Sequence, residues 1–231
     1  MRRAAGAREL LDGAVPLGDL TATLTDIERL NAWFGGDALS LARVRRAARA
    51  VPRQRALVVV DVGGGAGGFA RRVVRWARRR RRAVRIVVVD HDAATAALAR
   101  RACAGHPEIH VVRADATALP LAAAAADVVH AALTLHHLEP GAAVAALAEM
   151  ARVARGRVVV NDLSRTRVAL ALVWLATRLL AMHPVSRHDG PLSVRRAYAP
   201  AELADLFRAA GVPDVSVRRY PAIARLVAET A

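Results

Sequence analysis

The sequence predicts an α/β domain built on a doubly wound, mostly parallel sheet, and three observations carry that reading. Short β-branched runs, such as residues 57–62 and 86–90, alternate with segments of helical period. These runs lack polar alternation, as expected of strands buried on both faces in a parallel sheet. A glycine-rich turn, Gly63-Gly64-Gly65-Ala66-Gly67-Gly68, follows the first run directly.

Residues 1–50 read as an N-terminal helical cap. Leu24, Ile27, Leu30, Trp33 and Phe34 recur at helical spacing, Gly35-Gly36 breaks the run, and a second helix passes through Leu39, Leu41 and Val44. Residues 51–231 read as the main domain. Its predicted order is strand 57–62, helix 69–80, strand 86–90, helix 93–104, strand 109–113, strand 127–132, helix 142–154 and strand 157–161. A long apolar helix then covers 165–181, and a loop containing Pro, His and Gly runs to Pro191 and beyond. The next helix opens at Pro200, with Glu202 in its first turn, and closes at Gly211. Residues 215–220 and 223–228, separated by Pro221, predict a terminal antiparallel hairpin. Five parallel strands plus this hairpin make a seven-stranded sheet.

Hydrophobic residues form 55% of the 231, enough for a sizeable core, yet the aromatic residues number only three Trp, two Tyr and three Phe. Val, Leu and Ala must therefore fill it. The net charge of +15 would suit a polyanionic partner. However, all 35 basic residues are arginine and alanine is over-used, a pattern that GC-rich coding imposes whatever the function. Nucleic acid is accordingly not the expected partner. The lone Cys103 excludes an internal disulfide and a multi-cysteine metal site, and suits a reducing cytoplasm. The N-terminus lacks the apolar core of a signal peptide, and the most apolar segment, 168–181, is too short to span a bilayer.

Glycines after a buried strand bring backbone N–H groups against a ligand at the next helix N-terminus. Gly63, Gly65 and Gly68 also satisfy the dinucleotide pattern G-x-G-x-x-G, so the loop alone does not choose a cofactor. The flanking acids do. Asp61 precedes the glycines, where a carboxylate suits a cationic ammonium and sulfonium better than a pyrophosphate. Asp90, followed by His91, ends the second strand, where it can take ribose hydroxyls. Asp115 can accept from an adenine amino group while the Ala116 N–H donates to the ring. Asp61, Gly63, Gly65, Gly67, Asp90, His91, Asp115 and Ala116 thus form the expected site for S-adenosylmethionine.

These residues resemble the motifs of the class I S-adenosylmethionine-dependent methyltransferases, Rossmann-like enzymes, over residues 57–162. Leu119-Pro120-Leu121, Asp127-Val128-Val129-His130 and Leu135-His136-His137-Leu138 are similar to the quinone-biosynthesis branch. Asp26-Ile27-Glu28-Arg29-Leu30-Asn31, Val160-Asn161-Asp162-Leu163 and the stretch from Arg187 to Arg195 look like bacterial methyltransferases found beside type III polyketide synthases. The chain departs from related loops in carrying Gly64 and Ala66 where Thr, Cys or Ser is common. The resemblance implies methyl transfer to oxygen or carbon of a phenolic, quinonoid or polyketide-derived molecule. It also implies a substrate-recognition insertion over about 163–199.

Methyl transfer from a sulfonium is an in-line displacement, governed by alignment and helped by a base that removes the acceptor proton. His136 is the first candidate base and His188 the second; His137, Asn161, Asp162, Trp174 and Asp189 are candidate substrate contacts. The apolar helix containing Trp174 reads either as core or as one wall of a greasy pocket for an apolar aromatic acceptor. No metal is expected. RNA methylation and a non-catalytic cofactor-binding regulator are the competing readings. A cytoplasmic location is expected, and a homodimer is left open.

Overall fold

The computed structural model describes residues 1–230. Two helices come first, α1 (Leu17–Trp33) and α2 (Gly36–Ala47), and then the alternating region: β1 (Leu57–Val62), α3 (Gly68–Arg79), β2 (Val84–Asp90), α4 (Ala93–Cys103), β3 (Ile109–Arg113), β4 (Ala126–Ala132), α5 (Pro140–Val153) and β5 (Ala154–Leu163). The chain ends with α6 (Arg167–Leu179), α7 (Pro184–Arg196), α8 (Pro200–Ala209), β6 (Val215–Tyr220) and β7 (Arg225–Thr230).

The seven strands lie in the order β3-β2-β1-β4-β5-β7-β6, with β7 antiparallel to both β5 and β6. This is the expected mixed sheet. Strand order reverses between β1 and β4, which opens a crevice at their C-terminal ends, the place where open α/β sheets bind ligands. In register, Asp61 stands beside His130 and Ala132 beside Asn161. One face of the sheet packs through Leu147, Met150, Leu203 and Phe207, from α5 and α8. The other packs through Val44, Phe69, Val73 and Val74, from α2 and α3. Thus α2 is a layer on the sheet, whereas α1 lies over the crevice.

Three departures from the expected elements have local causes. The segment before Pro191 is helical, forming most of α7: Pro184 starts it, the His183 side chain caps the Val185 N–H, and Pro191 sits inside. A proline there forfeits one backbone bond, which packing against α6 outweighs. Strand β7 starts at Arg225, two residues later than expected, because Pro221–Ile223 form a 3₁₀ turn and Ala224 takes φ +56°. The apolar helix starts at Arg167, where the Thr166 hydroxyl caps the Ala169 N–H. Among the described residues no helix is long and apolar enough to cross a membrane.

Candidate active site

A cavity of about 680 Å³ runs along the crevice from the glycine loop to the turn after β4. At one end, the Gly63 and Gly64 N–H groups both bond the Val89 carbonyl, at 2.8 and 3.1 Å, which turns the chain off β1. Gly63 has φ +66°, and a Cβ there would stand 2.6 Å from Thr134 Cγ2. Gly67, at φ +79°, starts α3. The Leu24 side chain of α1 roofs the loop near Gly65, and the Arg71–Glu28 ion pair, at 2.9 Å, ties α1 to α3.

Asp61 is buried and braced from behind. Its Oδ1 accepts from His130 Nδ1 at 2.7 Å; His130 Nε2 lies 2.7 Å from Ser40 Oγ; and Asn161 Nδ2 donates to Ser40 Oγ at 2.9 Å. One tautomer satisfies the whole chain, with Nδ1–H donating to Asp61 and Ser40 O–H donating to Nε2. Asp61 Oδ2 has no partner, and a Cβ at Gly64 would lie 2.9 Å from it, so this oxygen faces the loop. A buried, unpaired carboxylate oxygen is costly unless a donor or cation meets it.

Asp90 receives the Gly65 and Asp92 N–H groups, both at 3.1 Å. Burial lifts its carboxyl above the ordinary range, and those two N–H groups partly oppose the rise. Asp115 is exposed at the cavity edge, with Oδ1 taken by the Thr117 N–H and hydroxyl, which hold its carboxyl low. Ala116 and His91 also line the cavity, His91 with its ring in solvent. The eight residues expected at the cofactor end are therefore gathered around it, except Gly67, which shapes the helix start behind.

His136 lies at the other end, in the 3₁₀ turn Leu135–His137, and is 2% exposed. Its Nδ1 meets Asp162 Oδ1 at 2.6 Å, while Asp162 also receives the His136 and Leu163 N–H groups. Burial alone would raise Asp162; the charge and hydrogen bond of His136 and the two backbone donors override it, and the carboxyl is held down at about 2. Asp162 thus sits behind the imidazole and leaves Nε2 to the cavity.

The chain's N-terminal segment supplies the facing wall, which no spacing argument had indicated. Glu9 is buried, with Oε1 3.7 Å from His136 Nε2 and Oε2 3.8 Å from His137 Nε2. Burial, only partly offset by His137, Ser193 and Arg196, pushes its carboxyl up to about 7. Asp12 accepts from His137 Nδ1 at 2.7 Å and from the buried Arg196, whose other N–H groups hold the His136 and His137 carbonyls. Asp189 lines the cavity, but its carboxylate is spent on the Leu10 and Leu11 N–H groups, at 2.9 and 3.0 Å. It docks the segment.

Glu9, His136 and His137 form the one group among the described residues whose ligand atoms converge as a metal site would need, within 4.8 Å of one another. Adjacent histidines and a distant glutamate escape any test of histidine spacing. Arg196 Nη1 lies 3.6 Å from Glu9 Oε1, so a cation from the chain itself already serves this cluster.

Other candidates fall elsewhere. His188 is exposed, off the cavity, with Nδ1 on Asp189. Asn161 is 1% exposed and spends its amide on Gly36 and Ser40, beneath the crevice floor. Trp174 points to solvent under the Arg178 guanidinium, while Leu172, Val173 and Ala176 of the same helix line the cavity. Arg225, unanticipated from the sequence, is a buried guanidinium in the cavity wall with Nη1 unpartnered. Burial lowers it to about 10.

Residues 59–157 match a family model described as a methyltransferase domain. No curated protein matches the chain. Among solved structures, the chain is similar to a SAM-dependent methyltransferase from Aquifex aeolicus (18% identity over 80% of this chain and 87% of that one, TM-score 0.56). It is also similar to human N-acetylserotonin methyltransferase in complex with SAM (18%, 94% and 57%, TM-score 0.64) and to the CurJ carbon methyltransferase (13%, 95% and 61%, TM-score 0.68). The chain spans less than two thirds of the length of the last two. These identities speak to the fold.

Proposed function

We propose that this protein is an S-adenosylmethionine-dependent methyltransferase acting on oxygen or carbon of a phenolic, quinonoid or polyketide-derived small molecule. One observation carries the reading: a single cavity joins the Gly63–Gly65 loop, Asp90 and Ala116 to a buried histidine oriented by a carboxylate. The methyltransferase-domain match over 59–157 agrees with it.

The residues fit the cofactor. Asp61 Oδ2, buried, unpaired and aimed at the loop, suits an ammonium group; Asp90 suits ribose hydroxyls; Asp115 and Ala116 suit an adenine edge. The bound cofactor would supply an electrophilic methyl group. For its part, the chain holds the acceptor in a cavity walled by Leu24, Leu30, Phe34 and Leu172. His136 takes the acceptor proton on Nε2, while Asp162 fixes the ring and stabilises the resulting imidazolium; such a base contributes roughly 10²–10⁴-fold. Arg225 offers a positive charge to an ionised acceptor. Apolar walls favour an acceptor with an aromatic or alkyl body.

Calorimetric titration with S-adenosylmethionine and with nicotinamide dinucleotides tests the cofactor, and preference for a dinucleotide would overturn it. Turnover on alkylphenols of increasing chain length tests the acceptor class. Rates should rise with chain length, and indifference to length would refute an apolar acceptor.

A further inference from the structure

Helix α6 turns the usual packing rule outward. Its buried face is small: Ala169 and Thr177 are buried, with Val173 partly so between them, and Gly190 of α7 packs so close that a Cβ there would lie 3.1 Å from Val173 Cγ1. Leu170 also packs half-buried against the cluster of Leu163 and Val194, but most of the large residues face solvent. Val168, Leu172, Leu175 and Leu179 follow at i, i+4, i+7 and i+11, one continuous stripe, with exposures of 61, 41, 45 and 74%. Trp174 flanks the stripe, and Leu180 extends it. An exposed apolar stripe of this length marks an interaction surface.

The surrounding charge selects the partner. Arg167, Arg178 and Arg187 are exposed on α6 and α7, and the only acid between residues 165 and 196 is Asp189, which is buried. An apolar stripe with a tryptophan at its edge and arginines around it has the chemistry of a helix that lies in a membrane interface over anionic headgroups. Leu172 is common to the stripe and the cavity wall, and half-exposed Phe34 lines the same cavity. The apolar surface therefore continues from the stripe into the pocket.

We propose that α6 docks this protein reversibly onto anionic lipid bilayers, its Val168-Leu172-Leu175-Leu179 stripe set among acyl chains. The docking goes beyond the methyltransferase reading and does not depend on it. Where that reading holds, docking would let a lipid-soluble acceptor enter the cavity without crossing water.

The test is co-sedimentation of the full chain with vesicles of phosphatidylcholine alone and of phosphatidylcholine with phosphatidylglycerol. Binding is expected to the anionic vesicles and to weaken as salt is raised. The Leu175→Asp/Leu179→Asp variant, altered at two exposed positions outside the cavity lining, should lose binding by at least about tenfold. Its S-adenosylmethionine titration should be unchanged, which separates failed docking from a failed cofactor assignment. Trp174→Ala gives a second, uncharged variant, with a smaller loss expected. Absence of binding to anionic vesicles, or binding that both variants retain, would overturn the proposal. So would a dimer in sedimentation velocity that the aspartates dissociate, since the stripe would then be an interface between two copies.

Discussion

Replacing Glu9 by glutamine should remove a pH-dependent weakness in the wall of the active site. The Glu9 carboxyl is buried between two imidazoles and a guanidinium, and its value rises from 4.5 to about 7. A carboxyl raised in the folded state contributes fully below 4.5, loses that contribution as pH climbs, and has lost it above about 7. At about 1.4 kcal/mol per pH unit, the docked segment becomes less stable by about 3 kcal/mol between pH 4.5 and 8. The cost falls on the contact that can yield most cheaply, namely the docking of residues 9–13 through Asp189 and Arg196. Amide exchange at Leu10 and Leu11, corrected for intrinsic rates, reads that docking directly. Wild-type protection should fall by roughly 10²-fold between pH 5 and 8, the fold-change equivalent of 3 kcal/mol. Glu9→Gln keeps the shape without the charge, and its protection should change far less with pH. A variant that shows the full wild-type loss would refute the burial argument.

Four further outcomes follow from the same geometry. Gly63→Ala forces a side chain into left-handed backbone, at about 1–2 kcal/mol, and against Thr134; calorimetry should show S-adenosylmethionine affinity down by at least about tenfold. Asp90→Ala removes an acceptor for charged hydrogen bonds worth about 1.5–3 kcal/mol, and the same titration should weaken by roughly 10- to 100-fold. Asp162→Asn releases the His136 ring, so kcat should drop by about 10²-fold or more while KM and cofactor affinity hold; unchanged turnover would remove His136 as the base. Gly190→Leu drives a side chain between α7 and Val173 and Thr177 of α6, and thermal unfolding should show about 1–3 kcal/mol of lost stability.

Legibility in the sequence follows how local each interaction is. The cofactor end is readable because its parts are contiguous: a buried strand, glycines that must turn at once, and acids at successive strand ends. Each leaves a signature within a few residues, and β3 and β6 match their expected ranges of 109–113 and 215–220. His130 was visible only as part of a family-like run. Its partners, Asp61 and Ser40, come from a neighbouring strand and from α2, so nothing local distinguishes it from a strand filler. The far end of the cavity is assembled from Glu9 and Asp12, His136 and His137, Asp162, and Asp189 with Arg196. No window of sequence contains that set.

Helix α6 shows a different limit. Its apolar period was readable, but periodicity states only that one face is apolar, not what that face meets. A core reading assumes that all the larger side chains turn inward; here Leu170 and Val173 do so in part, while the glycine at position 190 and the small residues Ala169 and Thr177 let α6 and α7 approach closely. Leu172, Leu175 and Leu179 face outward, where their hydration is unfavourable unless something apolar arrives. The cavity opens on the same helix through Leu172. The pressure that keeps a greasy stripe exposed and the pressure that shapes a greasy pocket therefore act on one element, and a substitution such as Leu172→Ser should impair both acceptor binding and attachment to anionic vesicles, whereas Leu179→Asp should impair attachment alone.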